Sequence, residues 1–195
     1  MPDQPEELTP HQLNARSLRG IAHPLRMQLL IALRRGGPAT ASQLAAKLGE
    51  SSGATSYHLR QLAAHGFVED APEHGKGRER WWRSAHDGVQ FDDALLKHPD
   101  PAVRGAADLF IHEVANIHTR ELSTWLGSPD DWSDEWKRSS DLSDMTLRLT
   151  PEHAMELVHR MHELVDSYRA QAPAEGTPDA ETVRVHTHVF PIHIT

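Results

Sequence analysis

The chain contains no cysteine, which excludes disulfides and thiolate metal sites and fits a reducing, cytoplasmic setting. Long apolar runs are missing as well. Nothing approaches the roughly 18–20 consecutive apolar residues that a membrane-spanning helix requires. The first ten residues, MPDQPEELTP, are acidic and proline-rich, the reverse of a secretory signal. A flexible arm is expected over residues 1–10, and the location expected of the chain is cytoplasmic. No glycine-rich phosphate loop follows a strand pattern, and no serine stands on a Gly-x-Ser-x-Gly turn. His112-Glu113 lacks the second histidine of a zinc-protease helix. With no catalytic constellation, the expectation is a protein that is not an enzyme and needs no cofactor.

What is present divides by charge. The 195 residues carry a formal net charge of -8. Between His11 and Arg83, however, eleven Lys/Arg face five Asp/Glu, a net of +6. The first ten residues hold three acidic side chains, which leaves about -11 beyond Arg83. A basic first half joined to an acidic second half suits a module that binds nucleic acid, followed by a separate domain. Solvated charge with no partner is the plainer alternative.

The stretch from Ser51 to Gly66 organises the basic half. Serines at its start offer an N-cap and Gly66 a stop, predicting a helix over 51–65. At about 100° per residue, Thr55, Leu59 and Leu62 share one face. Ser52, Ser56, Tyr57, Arg60 and Gln61 lie on or beside the other, a set of hydroxyls, amide and guanidinium suited to the DNA major groove. His58 falls nearer the apolar face, as a packed and hydrogen-bonded side chain or as a DNA contact.

Upstream, helices are expected from about His11 to Ala22 and from Pro24 to Arg35, the second closed by Gly36-Gly37-Pro38. Thr40-Ala41-Ser42-Gln43 reads as a capping box opening a short helix that ends at Gly49. Two short helices joined by a tight glycine-containing turn make a helix-turn-helix. Residues 67–70 and 79–83 then read as paired strands around a basic glycine-rich loop, 72–78. Such a hairpin is a wing. Its Lys76, Arg78 and Arg80 are candidates for phosphate or minor-groove contact.

The order Ile21-Ala22-His23-Pro24-Leu25-Arg26, Ala41-Ser42-Gln43-Leu44-Ala45, Ser56-Tyr57-His58-Leu59-Arg60-Gln61-Leu62 and Gly66-Phe67-Val68 resembles the ArsR-type winged helix-turn-helix regulators over about residues 11–84. The resemblance implies a homodimeric transcriptional regulator, a repressor rather than an activator, on a two-fold symmetric operator and usually released by a small effector. Glu50 departs from the apolar residue such proteins often have there, and is expected to be exposed and harmless.

Residues 87–99 read as a connector. From Asp100, an N-cap followed by Pro101 at the first helical position, a helix is expected to run to about Leu126. At 1.5 Å per residue it would span nearly 40 Å, too long for so small a module to cover. Its apolar residues Phe110, Ile111, Val114 and Ile117 are therefore assigned to pairing with a second copy. Beyond it, 130–141 reads as a short acidic helix or loop. Strand patterns at Met145–Leu149 and Val183–Pro191 flank a helix from Thr150 to about Ala170, with a Pro/Ala/Gly linker over 171–179. A crossover of that length makes the two strands parallel, neighbouring or one apart.

The expected fold is thus mainly α with small β. A winged helix-turn-helix at 11–86 precedes a dimerisation and effector region at 100–195, which contains a strand-helix-strand unit at 143–191. Fifteen histidines raise a second reading, a metal-responsive sensor for zinc or nickel. Asp108 and His112 lie four apart on the long helix; His118-Thr119-Arg120-Glu121 matches the end of a metal motif found in some relatives. Its start fails, because Gly105 and Ala107 stand where ligands are needed. A third reading is a ligand-sensing or protein-interaction module with a vestigial helix-turn-helix.

Overall fold

The computed structural model describes residues 10–75, 79–174 and 176–193. The chain divides into two compact units, 1–121 and 122–195, so the division lies inside the long helix rather than in the 87–99 connector.

The first unit runs β1 (His11–Gln12), α1 (Ala15–Ile21), α2 (Pro24–Gly36), β2 (Ala39–Thr40), α3 (Ala41–Leu48), α4 (Ser52–Ala64), β3 (Val68–Asp70), β4 (Trp81–Ser84) and β5 (Val89–Gln90), then most of α5 (Pro101–Gly127). Local chemistry fixes most helix starts. Asn14 and Ser17 form a reciprocal capping box on α1, and Thr40 and Gln43 form the expected one on α3. Ser51 accepts from the Ala54 N–H at the start of α4, and Asp100 from the Ala102 N–H at the start of α5. Gly49, at φ 70°, closes α3 in the left-handed conformation, which costs glycine little.

The first helix starts later than expected. His11 and Gln12 are extended and pair in parallel with Val89 and Gln90, so the predicted connector contributes a strand. The wing has a third strand: β2 lies against β4 on the side away from β3, both antiparallel. Leu18, Leu29, Leu30, Leu59, Leu62 and Phe67 form the centre of the core, with Trp82 of the wing sealed against it. One stripe of α5, Val103, Ala107, Phe110 and Ile117, joins the same core, and Phe110 stacks on Phe91 at 5.6 Å with an interplanar angle of 7°.

That stripe corrects the assignment of the pairing face. Phe110 and Ile117 are buried by their own chain, and Val114 packs partly against the same core. Of the four expected dimerisation residues, Ile111 alone is exposed. The module covers one side of α5 for most of its length because residues 89–97, read as a mere connector, fold into β5 and a 3₁₀ turn that carries buried Leu95.

The second unit holds the end of α5, α6 (Asp134–Ser139) and α7 (Pro151–Arg169). Thr150 caps α7 as expected, its hydroxyl accepting from the His153 N–H. The two flanking strands do not form: among the described residues neither 145–149 nor 183–191 joins a ladder. The alternation is there in the sequence, but a strand needs an edge to pair with. This unit offers none, and none of its described residues is buried.

Candidate nucleic-acid interface

The helix α4 is held from beneath and open above. Thr55, Leu59 and Leu62 are buried, anchoring one face in the core. On the other, Ser52, Tyr57 and Arg60 are exposed, with Ser56 and Gln61 half-buried on the flanks. Tyr57 is 52% exposed, which leaves its phenol accessible on the open face. Arg60 makes no ion pair among the described residues, and neither do Arg16 or Lys47, both exposed. Lys47 lies in the last turn of α3, the helix that crosses the backbone in this motif. It escaped the sequence reading because a lone lysine on a short helix carries no pattern of its own.

Histidines grip the same helix from within. The His23 Nδ1 accepts from the Leu25 N–H at 3.2 Å, capping α2. Its ring packs on that of His58 at a centroid distance of 4.4 Å, and Tyr57 meets His58 edge-on at 5.1 Å. His58 is therefore packed, but among the described residues its Nδ1 is buried without a hydrogen-bond partner, as is that of His65 at the C-terminal end of α4. Burial, then the charges of His23 and Arg26, lower the pKa of His58; burial, then Arg16 and Arg26, lower that of His65. Burial followed by Arg26 does the same for His23. Glu50 is exposed, as expected, and acts weakly in the opposite sense on His23 and His58.

The two described arginines of the wing, Arg80 and Arg83, are both paired with carboxylates. Arg80 forms a two-pronged pair with Asp70, its Nη2 donating to Oδ2 at 2.6 Å, and its guanidinium lies 4.1 Å above the Trp82 ring. Arg83 bridges Glu69 at 2.7 Å and Glu73 at 2.9 Å. Arg80 thus positions the hairpin, and reaching a phosphate would require it to leave Asp70. Lys76 and Arg78, the expected contacts at the tip, lie outside the described residues. Behind the wing, Arg34 donates to the carbonyls of His86 at 3.1 Å and Gly88 at 2.9 Å, and burial lowers its pKa to about 10.

The histidines considered for metal do not converge. His112 Nδ1 lies 2.7 Å from the Asp108 carbonyl oxygen, and the Glu121 carboxylate pairs with Arg35. Among the described residues, no three His, Cys, Asp or Glu side chains are placed to share an ion. No described helix is long and apolar enough to cross a membrane.

Residues 21–71 match a family model described as a helix-turn-helix domain. No curated protein sequence matches the chain. Solved structures with similar folds include a homodimeric winged helix-turn-helix DNA-binding domain from Mycobacterium bovis, described as a possible ArsR-family transcriptional regulator. It has 22% identity and a TM-score of 0.35, covering 55% of this chain and 82% of that one. The transcriptional repressor BigR from Xylella fastidiosa has 20% identity and a TM-score of 0.32, covering 52% and 84%. A possible transcriptional regulator for arsenical resistance has 25% identity and a TM-score of 0.32, covering 66% and 98%. Residues 21–71 thus match a helix-turn-helix domain, and β3 and β4 form the hairpin that follows its second helix.

Proposed function

We propose that the chain is an ArsR-type transcriptional repressor that binds a palindromic operator as a homodimer, with α4 in the major groove and the wing on backbone or minor groove. The supporting observation is the division of α4 into a buried face, Thr55, Leu59 and Leu62, and an open face bearing Ser52, Tyr57 and Arg60. Arg60 suits guanine O6/N7 or a phosphate, and Tyr57, Ser56 and Gln61 add hydrogen-bonding reach. Lys47 adds a backbone contact from α3.

Pairing of two copies falls to the side of α5 that the core leaves open. At about 100° per residue, Ile111, Ala115, Leu122 and Leu126 share a stripe, and all four are exposed. Ile111, Ala115 and Leu122, four and seven residues apart, fall on the d and a positions of a seam by which two helices pack, and Leu126 borders it. A palindromic site requires the two α4 helices of such a pair to lie about 34 Å apart, one turn of DNA. Release by a small effector fits the same scheme. Electrophoretic mobility of the gene's own upstream DNA with purified protein tests the proposal: retardation that saturates at two chains per site supports it, and no retardation at low salt refutes it.

A further inference from the structure

The second unit has the parts of a folded layer and no core. Its helix α7 is amphipathic, with Ala154, Leu157, Met161 and Val165 half-buried along one stripe. The segments on either side of α7 alternate apolar and polar side chains at the period of a strand. Met145, Leu147 and Leu149 fall on one face of the first, and Val183, Val185 and Val189 on one face of the second; all six are exposed, Met145 by 82%. Ordering such segments costs backbone entropy. Within one chain, neither buried surface nor a ladder offsets that cost.

A strand-helix-strand crossover sets its two strands parallel on one sheet. Among the described residues these two segments form no ladder with each other. Parallel strands joined by a helix and not paired directly are the frame of a split β-α-β unit, in which a third strand lies between them. The second unit has no third alternating segment of its own, and a second copy of the chain supplies one.

We propose that two copies interlock through the second unit, the 145–149 segment of each entering between the 145–149 and 183–190 segments of the other. The result is a four-stranded antiparallel sheet. Its two central strands meet about the two-fold axis, and both α7 helices cover its apolar face. The surface available is of the right size. The six strand-face residues with Leu164 and Tyr168 make eight exposed apolar side chains per copy. That is on the order of 600 Å² before backbone is counted, against roughly 800 Å² per partner in a stable interface. The apolar faces carry no charge that would select an acidic or basic foreign partner. Exposed strand edges this apolar also invite aggregation unless covered.

The interlock deepens the proposed dimer, and the two can fail separately, because a chain paired through α5 alone would still bind DNA. The test uses the full chain, which lacks cysteine, carrying Leu147→Cys and Val185→Cys and treated with a short bismaleimide. The expected product is predominantly a covalent dimer with DNA binding retained; a crosslink that closes within one chain overturns the interlock. Hydrogen exchange on the unaltered protein removes dependence on the variants. Amides of 145–149 and 183–189 should be protected at least ~100-fold, with protection lost on dilution as the dimer dissociates. Amides that exchange freely at every concentration refute the proposal.

Discussion

Gly20 lies in α1 directly beneath the C-terminal end of α4, and replacing it with alanine tests how tightly that helix is seated. A methyl group at Gly20 would fall on the His65 ring, 2.6 Å from its Cδ2 and 2.7 Å from its Cβ. Carbon atoms pack at about 3.5–4.0 Å, so something must move by about 1 Å. Rotating the ring cannot relieve the clash, because Cβ is fixed by the backbone of α4. Overpacking of this kind costs up to about 3 kcal/mol, and alanine in place of a helical glycine returns about 1 kcal/mol. The expected net loss is about 2 kcal/mol, a shift of about 1 M in the urea midpoint of the first unit at a typical slope of about 2 kcal/mol per M. His65→Ala removes both the obstruction and a buried nitrogen without a partner. The double variant should therefore recover most of the loss, giving a coupling of about 2 kcal/mol in a double-mutant cycle. Equilibrium unfolding of the four proteins, followed by tryptophan fluorescence, measures it. A Gly20→Ala protein as stable as the parent, or a coupling below about 0.5 kcal/mol, refutes the proposed seating of α4 on α1.

Further variants probe the interface and its support. Arg60→Ala should weaken operator binding by about 1–3 kcal/mol, five- to 150-fold in Kd by fluorescence anisotropy, if it reads a base. Lys47→Ala should weaken all sequences alike and reduce the salt slope by about one; an unchanged slope would remove Lys47 from the backbone contacts. Thr55→Val should be neutral or stabilise by about 1 kcal/mol, because the buried hydroxyl has no partner; a loss above about 1 kcal/mol would reveal a hydrogen bond there. Acid should loosen the module. The pKa values of His11, His23, His58 and His65 all lie below the ordinary 6.5 in the folded chain. The unfolded chain therefore takes up protons first, so stability is full above about pH 6.5 and falls as pH drops below it. Protonated His23 also gives up the ring nitrogen that caps α2. Urea midpoints at pH 7.5 and 5.5 check this, and equal midpoints would contradict it.

The parts of the molecule legible in the sequence are those fixed by neighbours along the chain. Thr40 and Gln43 cap each other three residues apart, Gly49 ends α3 through its own backbone, and the buried and open faces of α4 follow from helical periodicity alone. What the sequence hid depends on distant partners. The pairing of His11 with Val89 joins segments with no strand pattern. Arg80 looked like a free wing cation because Asp70, which neutralises it, faces it across the hairpin. The two faces of α5 were merged because apolar residues surround it, and nothing local separates the stripe that enters the core from the one left open. The segments 145–149 and 183–191 show the converse: their alternation is plain, yet periodicity specifies a face, and only a neighbouring strand completes a ladder.

The central claim is that the open face of α4 reads DNA in a two-fold pair. Capture of genomic fragments by the purified 195-residue chain, followed by sequencing, tests it most directly, run in parallel with Tyr57→Ala/Arg60→Ala. The account predicts enrichment of a two-fold symmetric sequence with half-sites about one helical turn apart, lost in the variant. Enrichment of no sequence above random, or the same enrichment with the variant, would contradict it.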